Sequence, residues 1–201
     1  MEFTNSIATA AEAVRKGYWS DQLQFAGRAL ASPLRFGAIL PSGASLGRAM
    51  ARLTRGTRVV ELGPGSGSIT RHLLDGLRPD GLVLALELDP GMAGHLRQRM
   101  RDPRLMVQVG DAADLNHRLD ALGWTGADSI VSGLPFQALD PVVRDRILAG
   151  ARESLAPGGR FIGFQYGLRL LPTFRRHFRT VKVIGPIWLN VPPAFVIVGH
   201  S

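Results

Sequence analysis

The chain has 201 residues, 45% of them hydrophobic and 20% charged, which is typical of a globular protein and excludes a disordered one. It has no cysteine, which excludes disulfide bonds and thiolate metal ligands, and its five histidines are scattered, so we expect no metal site. Lysine and arginine number 24 against 16 acidic residues, and the net charge of +8 predicts a polyanionic partner, either nucleic acid or an anionic membrane.

The first 56 residues precede the first predicted strand. Apolar residues recur at helical spacing over 3–14 and again over 19–30, and a third helix is predicted over 46–53. Amphipathic basic helices of this kind lie in a membrane interface or pack on a sheet, and the pattern alone leaves both open. We expect residues 1–56 to form a helical extension that contacts a membrane or covers a substrate.

From residue 57 onward, short apolar runs alternate with segments of helical spacing. This alternation predicts an α/β core over 57–201 with a mostly parallel sheet. Residues 110–122 are predicted to be poor in helix, and two late apolar segments are predicted to pair as a closing antiparallel hairpin. The predicted elements are strand 57–62, helix 67–77, strand 82–87, helix 90–101, strand 105–109, strand 128–132, helix 140–155, strand 158–165, helix 169–178, and hairpin strands 181–189 and 194–198.

The stretch 58–70 combines a strand, a glycine-rich loop and the start of a helix. Gly63, Gly65 and Gly67 let backbone N–H groups approach a ligand at the positive end of that helix. The spacing is Gly-x-Gly-x-Gly, and Glu61 precedes the first glycine by two residues. The carboxylate argues against a dinucleotide pyrophosphate and indicates a ligand that carries positive charge.

Acidic residues also end the next two predicted strands. Glu87 comes 20 positions after Gly67, where a carboxylate would bind a ribose diol, and Asp111 with Ala112 suits an adenine amine. With the glycine motif, these residues resemble the S-adenosyl-L-methionine site of Rossmann-like class I methyltransferases. The cofactor-binding residues that follow from this resemblance are Glu61, Gly63, Gly65, Gly67, Glu87, Leu88, Asp111, Ala112 and Ser132.

Residues 132–136, Ser-Gly-Leu-Pro-Phe, follow the fourth predicted strand at the edge where such folds bind substrate. Enzymes that methylate the exocyclic amines of bases have Asn or Asp in the place of Ser132. Without that acceptor a planar amine would lose about 1–3 kcal/mol of hydrogen bonding. We therefore expect an apolar mouth, walled by Phe136, that suits an aliphatic amine.

The chain from about residue 18 to 198 resembles the bacterial phospholipid N-methyltransferases, which convert phosphatidylethanolamine stepwise towards phosphatidylcholine. The segments that carry the resemblance are PLRFGAILPS (33–42), VELGPGSG (60–67), SGLPF (132–136) and WLNVPPAF (188–195). The resemblance implies a Rossmann-like α/β fold with a mostly parallel seven-stranded sheet, an antiparallel last strand and N-terminal amphipathic helices. It also implies a cytoplasmic monomer that binds S-adenosyl-L-methionine, a phospholipid substrate and the anionic surface of the inner membrane, and it makes nucleic acid an unexpected partner.

Aromatic faces are natural partners for a methylated, cationic head group. The candidates are Tyr18, Trp19, Phe136, Tyr166 and Trp188, and of these we expect Trp188 to belong to the core. For the lipid phosphate we expect Arg35 first and Arg169 second. A basic cluster is expected beside the site edge, formed by Arg169, Arg175, Arg176, Arg179 and Lys182.

Two alternatives stay open. A ribosomal RNA adenine N-dimethyltransferase shares the motif layout and a basic surface, but Ser132 and the lack of a helical domain after residue 198 argue against it. A non-catalytic scaffold that binds S-adenosylmethionine or a membrane is disfavoured by the intact acidic strand ends.

Overall fold

The computed structural model describes residues 42–190 and 192–201. The predicted helices over 3–14 and 19–30, together with Tyr18, Trp19 and Arg35, lie outside these residues. The elements in chain order are α1 (Ser42–Leu53), β1 (Arg58–Leu62), α2 (Ser68–Gly76), β2 (Leu82–Glu87), α3 (Pro90–Arg99), β3 (Leu105–Val109), a 3-10 turn (Ala112–Asp114), α4 (Leu115–Ala121), β4 (Ala127–Ser132), α5 (Pro141–Glu153), β5 (Leu155–Gln165), α6 (Leu171–His177), β6 (Thr180–Ile187) and β7 (Ala194–His200).

The seven strands form one sheet in the order β3-β2-β1-β4-β5-β7-β6. Strands β1 to β5 are parallel, and β7 runs antiparallel between β5 and β6. This arrangement confirms the predicted α/β fold and the closing hairpin. Because the parallel strands end together, we call the side where β1 to β5 end the carboxyl edge, and the opposite side the amino edge.

Helices cover both faces of the sheet. Successive residues of β1 point to opposite faces, so Val59 belongs to one buried cluster and Val60 to the other. The first cluster includes Met50 of α1, which is fully buried. Helix α1 therefore shares a hydrophobic core with the sheet. The rest of the helical extension predicted over 1–56 lies outside the described residues and stays a prediction.

The stretch predicted to be poor in helix is instead helical over the 3-10 turn and α4. The Asp111 carboxylate starts this turn by accepting a hydrogen bond from the Ala113 N–H at 2.9 Å. Leu115 and Leu119, four residues apart, are both buried on one helical face. The apolar spacing was present in the sequence, but the segment is short and the prediction was wrong.

The prediction that Trp188 belongs to the core was also wrong. Strand β6 ends at Ile187, which pairs with Ala194 of β7. Trp188 is the first residue after that pair and is 74% exposed, and Leu189 is 75% exposed. These two side chains lie on the loop between β6 and β7, at the carboxyl edge of the sheet.

None of the helices in the described part of the chain is both long enough and apolar enough to cross a membrane.

Candidate functional site

Two motif loops meet at the carboxyl edge. The Gly63 N–H donates to the Leu86 carbonyl at 3.0 Å, and the Gly133 N–H donates to the Leu62 carbonyl at 2.8 Å. A Cβ placed on Gly133 would lie 2.6 Å from the Gly63 carbonyl oxygen, and one on Gly63 would lie 2.5 Å from Leu134. The glycine loop and the loop after β4 are therefore in direct contact, as close as two backbones allow.

The glycine loop has the conformation that its sequence predicts. Gly63, Gly65 and Gly67 have φ angles of 68°, 55° and 80°, a left-handed region that other residues rarely adopt. A Cβ on Gly67 would lie 2.6 Å from Leu96 of α3, whereas one on Gly65 would meet only Met92, at 3.6 Å. Gly65 therefore presents its backbone on the open side of the loop, as a close approach to a ligand requires.

Glu61 is fully buried, and neither carboxylate oxygen has a hydrogen-bond partner among the described residues. Burial raises its pKa from 4.5 to about 7, the nearby Glu87 carboxylate adds to the rise, and the adjacent Thr70 opposes it only in part. The Thr70 hydroxyl is likewise buried and unpaired among these residues. A buried carboxylate without a partner is costly, and a cationic ligand beside it would remove much of that cost.

Glu87 ends β2 and holds the glycine loop. Its Oε2 accepts a hydrogen bond from the Gly65 N–H at 3.0 Å, and its Oε1 accepts one from the Asp89 N–H at 3.1 Å. Each carboxylate oxygen has two acceptor positions, so one position on each oxygen is left. The side chain is only 8% exposed, yet two hydroxyl groups could bind to it without breaking either bond.

Asp111, Ala112 and Leu88 lie at the ends of the neighbouring strands. One Asp111 oxygen caps the 3-10 turn, which leaves the other oxygen for a ligand. Ala112 is buried, and Leu88 is half-buried against the core. The structure brings these three residues to the same edge as Glu61 and Glu87.

Ser132 and Phe136 lie deeper than an open mouth would require. Ser132 is fully buried, and its hydroxyl accepts a hydrogen bond from the Leu134 N–H at 3.3 Å. Phe136 is also fully buried and packs edge-on against Phe161 and Phe174, with ring centroids 6.1 and 5.6 Å away. Phe136 therefore does not wall an open mouth in this structure, and its predicted contact with the substrate stays a prediction.

Tyr166 lies at the carboxyl edge, directly after β5. It is 45% exposed, its ring meets Phe164 edge-on at 5.5 Å, and partial burial raises the pKa of its phenol. Among the aromatic candidates within the described residues, Tyr166 and Trp188 are exposed and Phe136 is buried. Its proposed contact with a head group stays a prediction.

The predicted basic cluster does not gather beside the site. Arg169 lies between β5 and α6 at the carboxyl edge, but Arg175 and Arg176 belong to the last turn of α6. Arg179 precedes Thr180, which pairs with His200 at the amino edge. Helix α6 carries the chain from one edge to the other, so only Arg169 stays near the site.

Two grooves open beside this edge. One, of about 440 Å³, lies between the glycine loop and α3 and is lined by Gly65 and Met92 among others. The other, of about 760 Å³, lies beyond β3 and is lined in part by Arg97 and Arg118. Neither groove is lined by the three acidic residues, so the candidate site rests on side-chain placement. Within the described ranges, no group of His, Asp or Glu side chains could hold a metal ion.

Sequence reasoning missed Thr70 and Leu134. Thr70 is a polar residue on the buried side of α2, next to apolar Ile69 and Leu73, and that position was a signal that could have identified it. Leu134 lies within the Ser-Gly-Leu-Pro-Phe motif. Its contact with Gly63 depends on the packing of two loops, which no local pattern encodes.

The fold, the glycine loop and the acidic residues at the strand ends define a Rossmann-like class I methyltransferase. The family model of a methyltransferase domain matches residues 59–159. The chain is 35% identical over 139 residues to an ornithine lipid N-methyltransferase from Singulisphaera acidiphila, covering 68% of this chain and 71% of the relative. The chain therefore belongs to the methyltransferase domain family.

A second group of relatives is named for methylation of ribosomal RNA. The chain is 33% identical over 110 residues to a ribosomal RNA small subunit methyltransferase A from Parasynechococcus marenigrum. That match covers 54% of this chain and 35% of the relative, so the similarity spans about a third of the RNA enzyme.

Solved structures agree with the fold. The glycopeptide N-methyltransferase MtfA complexed with S-adenosyl-L-methionine superimposes with a TM-score of 0.63 at 17% identity, covering 80% of this chain and 94% of that one. A TehB-like methyltransferase from Corynebacterium glutamicum gives a TM-score of 0.60 at 21% identity, covering 87% and 97% of the two chains.

Proposed function

We propose that this chain transfers methyl groups from S-adenosyl-L-methionine to the amine of a membrane lipid, with phosphatidylethanolamine and its mono- and dimethyl forms as substrates. One observation carries the choice of substrate class. The loop after β4 offers no amide or carboxylate to a base amine, because Ser132 is buried and bonds within its own loop and Gly133, two residues before Pro135, has no side chain. The similarity to an ornithine lipid N-methyltransferase over 71% of that relative supports the same class.

The cofactor follows from family membership, and the residues at the carboxyl edge fit it. Glu61 supplies negative charge for the amino acid end of the molecule, and the open backbone at Gly65 allows close approach. Glu87 keeps one acceptor position on each oxygen for the ribose hydroxyls, and the free Asp111 oxygen can accept from the adenine amine. Once bound there, the cofactor would supply a methyl group on a positively charged sulfur.

The substrate nitrogen must be neutral to attack this methyl group. Its lone pair forms the new N–C bond as the S–C bond breaks, and the leaving proton passes to water or a carboxylate. The protein acts mainly by positioning the amine and by excluding water. Tyr166 is an exposed aromatic residue at this edge that can face the growing positive charge, and Arg169 can face the lipid phosphate.

The test is methyl transfer from labelled S-adenosylmethionine to three acceptors in parallel. The acceptors are anionic vesicles containing phosphatidylethanolamine, the same vesicles containing ornithine lipid, and structured ribosomal RNA. We expect label in lipid that separates as mono-, di- or trimethylated phosphatidylethanolamine. A Tyr166→Ala variant should lower the last methylation step more than the first, because only the trimethylated head group formed in that step is a permanent cation.

The three acceptors separate the alternatives. Label in ornithine lipid alone would keep the lipid class and correct the head group. Label in RNA alone would overturn the proposal and would mean that the buried Ser132 does not exclude a base. Cofactor binding without label in any acceptor would favour a non-catalytic scaffold.

A further inference from the structure

Exposed large hydrophobic side chains gather at one edge of this sheet. Among the described residues, those at the carboxyl edge end β3 or follow β4, β5 and β6, and the other two lie in the middle of edge strand β6. The carboxyl-edge set comprises Val109, Val142, Tyr166, Leu168, Trp188 and Leu189, and the pair within β6 is Val183 and Ile184.

The loop between β6 and β7 carries the most exposed part of this set. Trp188 and Leu189 are adjacent and about three-quarters exposed, at 74% and 75%. The loop is anchored on both sides, because Ile187 pairs with Ala194 and the buried Asn190 side chain donates to the Pro192 carbonyl at 2.6 Å. Two large apolar side chains are thus held outward on this turn, where no other described part of the chain covers them.

The register of the sheet places this loop beside the candidate site. Phe195 of β7 pairs with Gln165, the last residue of β5, and Tyr166 and Leu168 follow directly. Tyr166 and Leu168 are 45% and 42% exposed. The loop and the end of β5 therefore form one apolar surface on the edge that also holds Glu61, Glu87 and the glycine loop.

The chemistry of this surface fits a lipid bilayer. Trp and Tyr have an apolar body and a polar end and are enriched at membrane interfaces. Arg169 is exposed next to Leu168 and makes no ion pair within the described residues, so it can meet an anionic head group. A convex pair of side chains penetrates a fluid surface readily, whereas a protein partner would need a matching pocket.

We propose that Trp188 and Leu189, with Tyr166, Leu168 and Arg169 behind them, form a membrane-contact surface that inserts into anionic lipid and turns the site toward the head groups. The choice of lipid as the partner rests on the proposed function. The surface would let an amine at the bilayer surface reach the site at the carboxyl edge.

The main test compares two double variants of the full chain in sedimentation with vesicles of phosphatidylglycerol and phosphatidylethanolamine. Trp188→Ser with Leu189→Ser should lower the partition coefficient at least about tenfold, because two apolar side chains no longer leave water. The matched control is Val183→Ser with Ile184→Ser, which removes exposed apolar side chains away from the edge and should change partitioning less than about twofold. Both variants should keep wild-type cofactor affinity, which reports on folding.

A second measurement places the loop in the bilayer. Replacing Trp19 and Trp124 with Phe leaves Trp188 as the single tryptophan of the chain. Its fluorescence should shift to the blue on vesicles and be quenched by lipids brominated near the head group. Absence of both effects would overturn the proposal, as would equal sedimentation of the Trp188 and Leu189 variant and the wild-type chain.

Further outcomes separate this surface from the proposed function. In one outcome the double variant loses vesicle binding, but the wild type transfers no methyl group to any lipid. That result would support the membrane-contact surface and refute the proposed function. Methyl transfer to vesicles that does not depend on Trp188 and Leu189 would do the reverse. A wild-type dimer without lipid that the double variant turns into a monomer would show that a second copy of the chain, rather than lipid, covers the surface.

Discussion

The two edges of the sheet use the same kinds of side chain in opposite ways. At the amino edge, the Asp128 carboxylate accepts hydrogen bonds from the Thr57 and Arg58 N–H groups, both at 2.9 Å, and pairs with the Arg58 guanidinium at 3.2 Å. The Ser129 hydroxyl accepts from the Arg55 N–H at 2.9 Å and donates to the Arg55 carbonyl at 2.8 Å. These polar groups are satisfied within the chain, so their role is to join α1 and β1 to β4.

At the carboxyl edge, similar groups keep unused bonding capacity. Glu61 has no hydrogen-bond partner among the described residues, Glu87 keeps one acceptor position on each oxygen, and Asp111 uses one oxygen. Buried polar groups without partners lower stability, whereas satisfied ones do not. The difference indicates that the amino edge stabilises the fold and that the carboxyl edge is organised for a ligand.

The largest expected effect tests this difference on cofactor binding. Glu87→Ala should weaken binding of S-adenosylmethionine by about 2–4 kcal/mol, or roughly 30- to 1,000-fold, because the two charge-assisted hydrogen bonds proposed to the ribose would be lost. Asp128→Ala is the matched change at the amino edge and should leave the affinity of the folded protein within about twofold. Calorimetric titration of both variants measures this contrast. Equal losses of affinity would mean that the carboxylates at the two edges do not differ in role.

The second prediction uses the raised pKa of Glu61. Since this pKa is about 7 in the folded chain against an ordinary 4.5, the folded state keeps a proton that the unfolded chain has released between these pH values. The free energy of unfolding contributed by Glu61 therefore falls as the pH rises from 4.5 to 7, by about 3 kcal/mol in total. Urea unfolding of the wild type and Glu61→Gln at pH 5 and pH 8 isolates this part, because other titrating groups cancel in the difference.

The same carboxylate links binding to pH. A cationic ligand beside Glu61 favours its ionised form, so binding should release a proton and the affinity for S-adenosylmethionine should rise as the pH increases toward 7. Glu61→Gln should remove this dependence. A pH-independent affinity in the wild type would show that Glu61 does not face the positive end of the ligand.

The third prediction concerns stability at the amino edge. Asp128→Ala leaves the Thr57 and Arg58 N–H groups without their acceptor and should lower the free energy of unfolding by about 2 kcal/mol. Partial burial alone would raise the pKa of Asp128, but hydrogen bonds from Arg58 and Thr57 outweigh it and lower the pKa. Its contribution is therefore present at neutral pH and is lost as the pH falls below 3.8, opposite in sign to that of Glu61. Acid unfolding curves of the wild type and the variant should converge at low pH if this account is right.

The sequence predicted the parallel sheet, the glycine loop and the acidic strand ends because each depends on a short local pattern. Alternating apolar runs specify strands that are buried on both faces, and a glycine with positive φ is needed wherever the loop turns. The carboxyl ends of parallel strands then meet by topology alone. These features placed Glu61, Glu87 and Asp111 together before any contact was known.

Aromatic burial could not be predicted in the same way. The sequence predicts Phe136 at an open mouth and Trp188 in the core, whereas Phe136 is buried and Trp188 is exposed, because the environment of a ring depends on distant partners. Phe136 is enclosed by Phe161 and Phe174, which follow it by 25 and 38 positions. Trp188 is exposed because β6 pairs with β7 only as far as Ile187. The basic residues after Arg169 were misplaced for a related reason, since α6 separates in space what is adjacent in sequence.

The smallest predicted effect asks how far the apolar surface of the carboxyl edge extends. Val142 is 69% exposed in the first turn of α5, after the loop that leaves β4, and its N–H donates to the Asp140 carboxylate at 2.8 Å. Val142→Ser keeps this backbone bond, so the free energy of unfolding should change by less than about 0.5 kcal/mol. If the whole edge contacts lipid, partitioning onto anionic vesicles should fall about two- to threefold, since one apolar side chain no longer leaves water.

Val183→Ser is the control, because Val183 is exposed within β6 and away from the carboxyl edge. Unchanged partitioning in Val142→Ser would restrict the contact to the β6–β7 loop and the end of β5. A larger loss in the control than in Val142→Ser would mean that exposed apolar area anywhere on the chain drives binding, and that the edges do not differ in their affinity for lipid.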